Sequence, residues 1–182
     1  MNITDNVVGV LRDRATEIAD LQAKITAIDA KISSGQYSHA TIQNEFAPEK
    51  GKIRLAIQEK AAQAEREAGQ VVADWLQERR KEDALNPDDL TDDTKLLNAG
   101  VKLNERDILS MLERNQGNRT MTQIIMRYVK ENGIAGNFPP YELAGAAAQR
   151  TADTLTGITH MYTSHWIANP KALDMLERLF YA

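Results

Sequence analysis

The sequence predicts an all-α protein, with a long N-terminal coiled-coil hairpin followed by a small bundle of short helices. Three observations carry this expectation. Apolar residues recur at Leu11, Ile18, Leu21, Ile25, Ile28 and Ile32, the seven-residue and three-four spacing of a coiled-coil seam. A second long periodic stretch follows at once, with a stripe made largely of alanine. No apolar–polar alternation or hairpin dipeptide marks a strand. Hydrophobic residues make up 42% and charged residues 26% of the 182 positions, so the chain can fold. Its 5% aromatic content suits an elongated molecule better than a compact one.

The first helix is expected from Thr4 or Asp5 to about Ser33. Its a positions are Thr4, Leu11, Ile18, Ile25 and Ile32, and its d positions are Val7, Arg14, Leu21, Ile28 and Gly35. Arg14 is the lone charge in the seam, placed either to snorkel outward or to set register. Gly35 is the natural left-handed cap after Ser33-Ser34. Such a helix spans about 45 Å.

Ser38 is placed to cap the next helix, and Pro48 interrupts it, acceptable in a first turn or as a kink. Beyond it, Ile53, Ile57, Ala61, Ala64, Ala68, Val71 and Trp75 form a stripe that is small in its middle. Small residues allow close helix approach, so an antiparallel hairpin on the first helix is the simplest arrangement. Pairing between chains satisfies the same pattern. Self-association is therefore expected at Leu11, Ile18, Leu21, Ile25, Ile28 and Ile32 together with Ile57, Ala61, Ala64, Ala68, Val71 and Trp75. Residues 1–84 read as this helical arm and 85–93 (LNPDDLTDD) as an acidic linker. Residues 94–182 read as a small helical domain with a C-terminal amphipathic helix.

In that domain Thr91 is placed to cap a helix through Leu96 and Leu97 that Gly100 stops. Asn104 caps the next, with Glu105 and Asp107 near its positive end and Ile108, Leu109 and Leu112 on its apolar side. Gln116-Gly117-Asn118 turns the chain into a helix marked by Met121, Ile124, Ile125 and Tyr128, ending at Asn132-Gly133. Pro139-Pro140 opens a stretch from Tyr141 to about Trp166, whose Ala144-Gly145-Ala146-Ala147-Ala148 run permits close helix packing. Asn169-Pro170 begins a last helix with Leu173, Leu176, Leu179 and Phe180 on one side, a candidate partner-binding face of the helix-in-groove kind.

The chemistry-bearing residues do not assemble into a catalytic pattern, and the chain is read as a non-enzyme. No cysteine is present, which excludes disulfides, zinc–thiolate sites and cysteine nucleophiles within this chain. His160 and His165 stand five apart, a poor spacing for two ligands on one helix face, and His39 is isolated. Asp88-Asp89 and Asp92-Asp93 lack the alternate spacing and distal Glu of an EF-hand loop. No phosphate-binding loop, GxSxG or dinucleotide fingerprint occurs, so no cofactor and no metal is expected. Met121, Met126, Met161 and Met175 read as adaptable packing residues.

The net charge is −4, with 16 Asp/Glu against 12 Lys/Arg in residues 1–90 and 10 of each in 91–182. Neither half carries the basic footprint of a nucleic-acid binder. The basic run Arg79-Arg80-Lys81 is flanked by Glu78, Glu82 and Asp83. The alternative reading is a helical nucleic-acid-binding regulator. It uses residues 105–132 as a helix-turn-helix, with Arg119, Gln123 and Arg127 facing a major groove. The N-terminus has neither a basic nor an apolar signal region, and no stretch is long and apolar enough for a membrane span. A soluble, unprocessed protein is the expectation.

Two stretches carry a resemblance. One is Lys31-Ile32-Ser33-Ser34-Gly35-Gln36-Tyr37-Ser38, followed by a long, charged, alanine-rich helix. The other is LTDDTKLLNAGVKLNERDILSMLERNQGNRTMTQIIMRYVKENGI, residues 90–134. Over about residues 20–134 the chain resembles scaffolding-like head-morphogenesis proteins of tailed bacteriophages that infect Gram-positive hosts. The resemblance implies a homo-oligomer that associates with the major capsid protein or another head protein during capsid assembly. It implies a place in the host cytoplasm during assembly, and then in the procapsid or virion head. None of its motifs is catalytic, so no functional residue is carried across. In that frame the arm supplies self-association and residues 170–181 supply coat contact. Those residues hold Lys171 and Arg178 against Asp174 and Glu177, unlike the basic coat-binding ends of some scaffolds.

Overall fold

The computed structural model describes residues 2–167 together with Asn169, Ala172, Met175 and Arg178. The fold is all-α, with no strand among the described residues. In order come α1 (Ile3–Ser33), α2 (His39–Thr41), a π turn (Ile42–Phe46) and α3 (Ala47–Lys81). A 3-10 turn (Pro87–Asp89) follows, then α4 (Asp93–Asn98), α5 (Glu105–Arg114), α6 (Arg119–Glu131), α7 (Ala144–Met161) and a second π turn (Tyr162–Trp166). The chain divides into two compact units, Met1–Trp75 with Arg150–Ala182, and Leu76–Gln149.

In the first unit, the Asn2 side chain accepts from the Thr4 N–H to start α1. Gly35, at φ +70°, ends it in the left-handed conformation that a side chain would strain. Ser38 then caps α2 by accepting from the Thr41 N–H at 3.1 Å. From His39 to Lys81 the helical path is unbroken. Pro48 sits in the first turn of α3, and the π turn before it makes room for the ring. Ala47 N–H donates to the Ile42 carbonyl, five residues back, so the helix is widened where Pro48 has no N–H to give.

α1 and α3 form an antiparallel hairpin. Arg14 meets Glu67, Glu17 meets Lys60, and Asp29 meets Lys50, three ion pairs with opposite sequence order on the two helices. Near the turn, Tyr37 meets Phe46 edge-on at 4.9 Å between ring centroids, and the Lys31 ammonium lies 6.0 Å from the Phe46 ring. Near its start α1 buries Ile3, Val7, Val8 and Leu11, a wider face than a two-helix seam covers. α7 supplies a third helix. Its Ala152 and Leu155 are buried, as is Tyr162 just beyond it, and His160 and Thr163 both reach Glu65 of α3.

The second unit closes around Leu97, Ile108, Met111, Met121, Ile125 and Val129, contributed by α4, α5 and α6. Asn104 and Asp107 form a reciprocal capping box at α5. α7 begins at Ala144, three residues later than the stretch expected from Tyr141. Its start is fixed by the Asp83 carboxylate, which accepts from Ala144 N–H at 2.8 Å and Gly145 N–H at 2.6 Å. Gly145 is needed there, because a Cβ would fall 2.9 Å from Arg80 Cγ and Asp83 Oδ2.

Residues 85–93 are not a free linker, and this division differs from one drawn there. Asn86 N–H donates to Thr120 Oγ1 at 3.1 Å, and Asn118 Nδ2 donates to the Asp89 carbonyl at 2.6 Å, so the segment belongs to the second unit. Thr91 does not cap α4. Its hydroxyl donates instead to Asn115 Oδ1 at 3.0 Å, and Asp92 holds the cap position without a side-chain bond.

Candidate functional site

The arm residues expected to self-associate are brought together within one chain. Leu11, Ile18, Ile25, Ile28, Ala64 and Ala68 are buried. Leu21, Ile32, Ile57, Ala61, Val71 and Trp75 are half-buried along the edges of the same contact. Leu11 and Ile18 are 0% exposed, so the strongest seam positions are already covered by the chain's own hairpin. Sequence spacing missed Val72, buried on α3 at the four-residue step that follows Ala64 and Ala68. It also missed Phe46, since a lone aromatic in a turn shows no period.

Arg14 resolves the charge in the seam. Its Nε and Nη2 donate to the two Glu67 oxygens at 2.9 and 2.8 Å, a bidentate fork across the hairpin. It also pairs with Glu17, which Lys60 reaches at 2.6 Å. The Arg14 guanidinium, aided by Gln63, holds Glu67 below the usual carboxylate range. Lys60, then Arg14, does the same for Glu17. This four-residue network fixes which turn of α3 faces which turn of α1.

In the second unit a buried polar cluster joins the 85–93 segment to α5. Asp93 Oδ1 accepts from Arg114 and Oδ2 from Asn115, each at 2.6 Å, and Asn115 also donates to the Met111 carbonyl. Arg114, then Asn115, holds the Asp93 carboxyl below its ordinary value, against the opposing effect of burial. Every member has a partner, so the cluster reads as a structural clasp.

The helix-turn-helix reading meets a geometric obstacle. Arg119 is exposed but pairs with Glu82 at 2.9 Å and Asp83 at 3.5 Å, and Gln123 is buried, which leaves only Arg127 of the three both exposed and outside an ion pair among the described residues. Among the described residues no three His, Asp or Glu side chains converge on a point that could hold a metal ion. No helix among them is long and apolar enough to cross a membrane. Of the C-terminal candidates, Leu173, Leu176, Leu179 and Phe180 lie outside the described residues. Compared with protein families, curated proteins and solved structures, the chain matches none.

Proposed function

We propose that this chain is a non-enzymatic assembly protein that self-associates and assists phage head assembly, as a scaffold-like or minor head component. The observation that carries the reading is the hairpin. One helix of 31 residues and another of 35 are held in register by Arg14–Glu67, Glu17–Lys60 and Asp29–Lys50 and enclose a narrow apolar seam. Such a hairpin offers a long outer surface for protein contact. The phage setting rests on the likeness of residues 31–38 and 90–134 to head-morphogenesis proteins. The partner in this reading is the major capsid protein, met in the host cytoplasm and in the procapsid.

The test is co-expression with the major capsid protein of the same phage, scored by electron microscopy of the particles. The reading expects closed shells of uniform size with the chain present, and aberrant or open polymers without it. Shell formation indifferent to the chain would overturn it. Commitment of Arg119 to Glu82 and Asp83 and burial of Gln123 weigh against the nucleic-acid alternative, which predicts salt-sensitive DNA binding lost on neutralising Arg119 and Arg127.

A further inference from the structure

With its seam occupied internally, an assembly protein of this kind needs a second surface to join copies, and the second unit carries two halves of one. The first half is a groove of about 410 Å³ on α6 and the residues before α7. Its walls are Met126, Tyr141 and Leu143, and Leu143 is 37% exposed although it is a large apolar side chain. Gln123 lines it as well, only 9% exposed. Arg127 and Lys130, one turn apart on α6, line the same groove. Both are exposed and neither is in an ion pair among the described residues.

The second half is the edge formed by the 85–92 segment and α4. Leu85, Leu90 and Leu96 are 43%, 48% and 45% exposed, and Asp88, Asp89 and Asp92 stand exposed along the same stretch, Asp92 paired with Lys95 at 2.6 Å. Large apolar side chains rarely cluster in the open without a partner. The groove is apolar with a cationic rim, and the edge is apolar with three exposed carboxylates, Asp88, Asp89 and Asp92, against one cation, Lys95. The edge borders Ile124 of α6, whereas the groove uses Gln123, Met126, Arg127 and Lys130, a different face of that helix. One copy therefore cannot fill its own groove with its own edge.

We infer that the occupant of the groove is a second copy of this chain, docked by its Leu85–Leu96 edge. Asp88 and Asp92 of that copy meet Arg127 and Lys130, Asp92 giving up Lys95 to do so, a leucine enters between Met126 and Leu143, and the Gln123 amide takes the incoming backbone. Because the two surfaces differ, the contact is head-to-tail and propagates, giving open-ended oligomers instead of a closed dimer. Like charges disfavour edge against edge and groove against groove, which sets the polarity of the assembly. This inference deepens the self-association in the proposed function and rests on that reading.

The test is a charge exchange followed by sedimentation velocity at low salt. One variant reverses the groove (Arg127→Glu with Lys130→Glu) and another reverses the edge (Asp88→Lys with Asp92→Lys). The wild type is expected to gain mass as concentration rises, by about twofold and beyond, and to lose it at high salt. Each variant alone is expected to remain a monomer. An equal mixture should recover assembly, since each reversed surface then meets its complement, and this recovery shows that both variants are folded. A wild type that is monomeric at every concentration, a variant that assembles alone like the wild type, or a mixture that fails to recover overturns the inference. The shell assay above is scored independently. Uniform shells obtained with a groove-reversed chain would sink this contact and leave the assembly function standing.

Discussion

Asp83 caps helix α7 through Gly145. Its carboxylate Oδ2 accepts the Gly145 N–H at 2.6 Å while Oδ1 accepts that of Ala144, and the glycine leaves room for Arg80 and Asp83 to lie against the helix end. A cap taken from a residue 62 positions away ties the end of α3 to the start of α7, which a local cap would not do. Asp83→Ala should lower stability by about 1 kcal/mol. Gly145→Ala should cost a similar amount, about 1 kcal/mol, by crowding Arg80 and displacing the carboxylate. Since both changes break one contact, the double variant should lose less than the sum. Urea denaturation of the four proteins checks this, and full additivity would mean that the two residues act independently.

Asp93 makes stability depend on acid. Arg114 and Asn115 hold its carboxyl below the ordinary value of 3.8, so the folded state prefers the ionised form more than the unfolded chain does. The resulting stabilisation is complete above that ordinary value and is lost as pH falls through the lower folded one. Asp93→Asn should cost about 2 kcal/mol near neutrality, by removing a charged partner from a buried cluster. It should also flatten the fall in denaturation midpoint below about pH 4. An unchanged acid slope in the variant would assign the acid sensitivity to other carboxylates.

The seam positions should rank by burial. Ile18→Ala, at a fully buried site, should cost about 3 kcal/mol, and Ile32→Ala, half-buried near the turn, about 1 kcal/mol. Combined alanine substitution at Ile18, Leu21, Ile25 and Ile28 should unfold the hairpin, not merely separate chains. Loss of helical circular dichroism at low protein concentration reports the first outcome. Retained helicity with reduced mass reports the second.

Much of the fold was readable because helices announce themselves locally. The seam from Leu11 to Ile32, the Gly35 stop, the Ser38 cap and the Asn104 cap all follow from spacing or from short-range hydrogen bonding. Pro48 was readable as a first-turn residue, but not the π turn that accommodates it, since that turn is a backbone adjustment without a sequence signature. Long-range pairing left no such trace. Asp93 and Asn115 lie 22 positions apart, and their acidic and amide neighbours read equally well as solvated linker. Val7 and Val8 are both buried, and an a/d pattern has no place for adjacent buried positions. The groove at Gln123 was hidden for a related reason: Arg127 and Lys130 belong to an ordinary amphipathic helix until Tyr141 and Leu143 are laid beside it.

α1 and α3 pair within one chain, and the absence of cysteine allows a clean test of that pairing. Cysteines placed at Asp29 and Lys50, which meet across the hairpin, are joined by a short bis-maleimide reagent in an equal mixture of tagged and untagged protein. The hairpin predicts a cross-link that shifts the mobility of the single chain and yields no tagged–untagged pair at any concentration. Cross-linked hybrid dimers formed through these two positions would contradict it, and would return the seam to contact between chains.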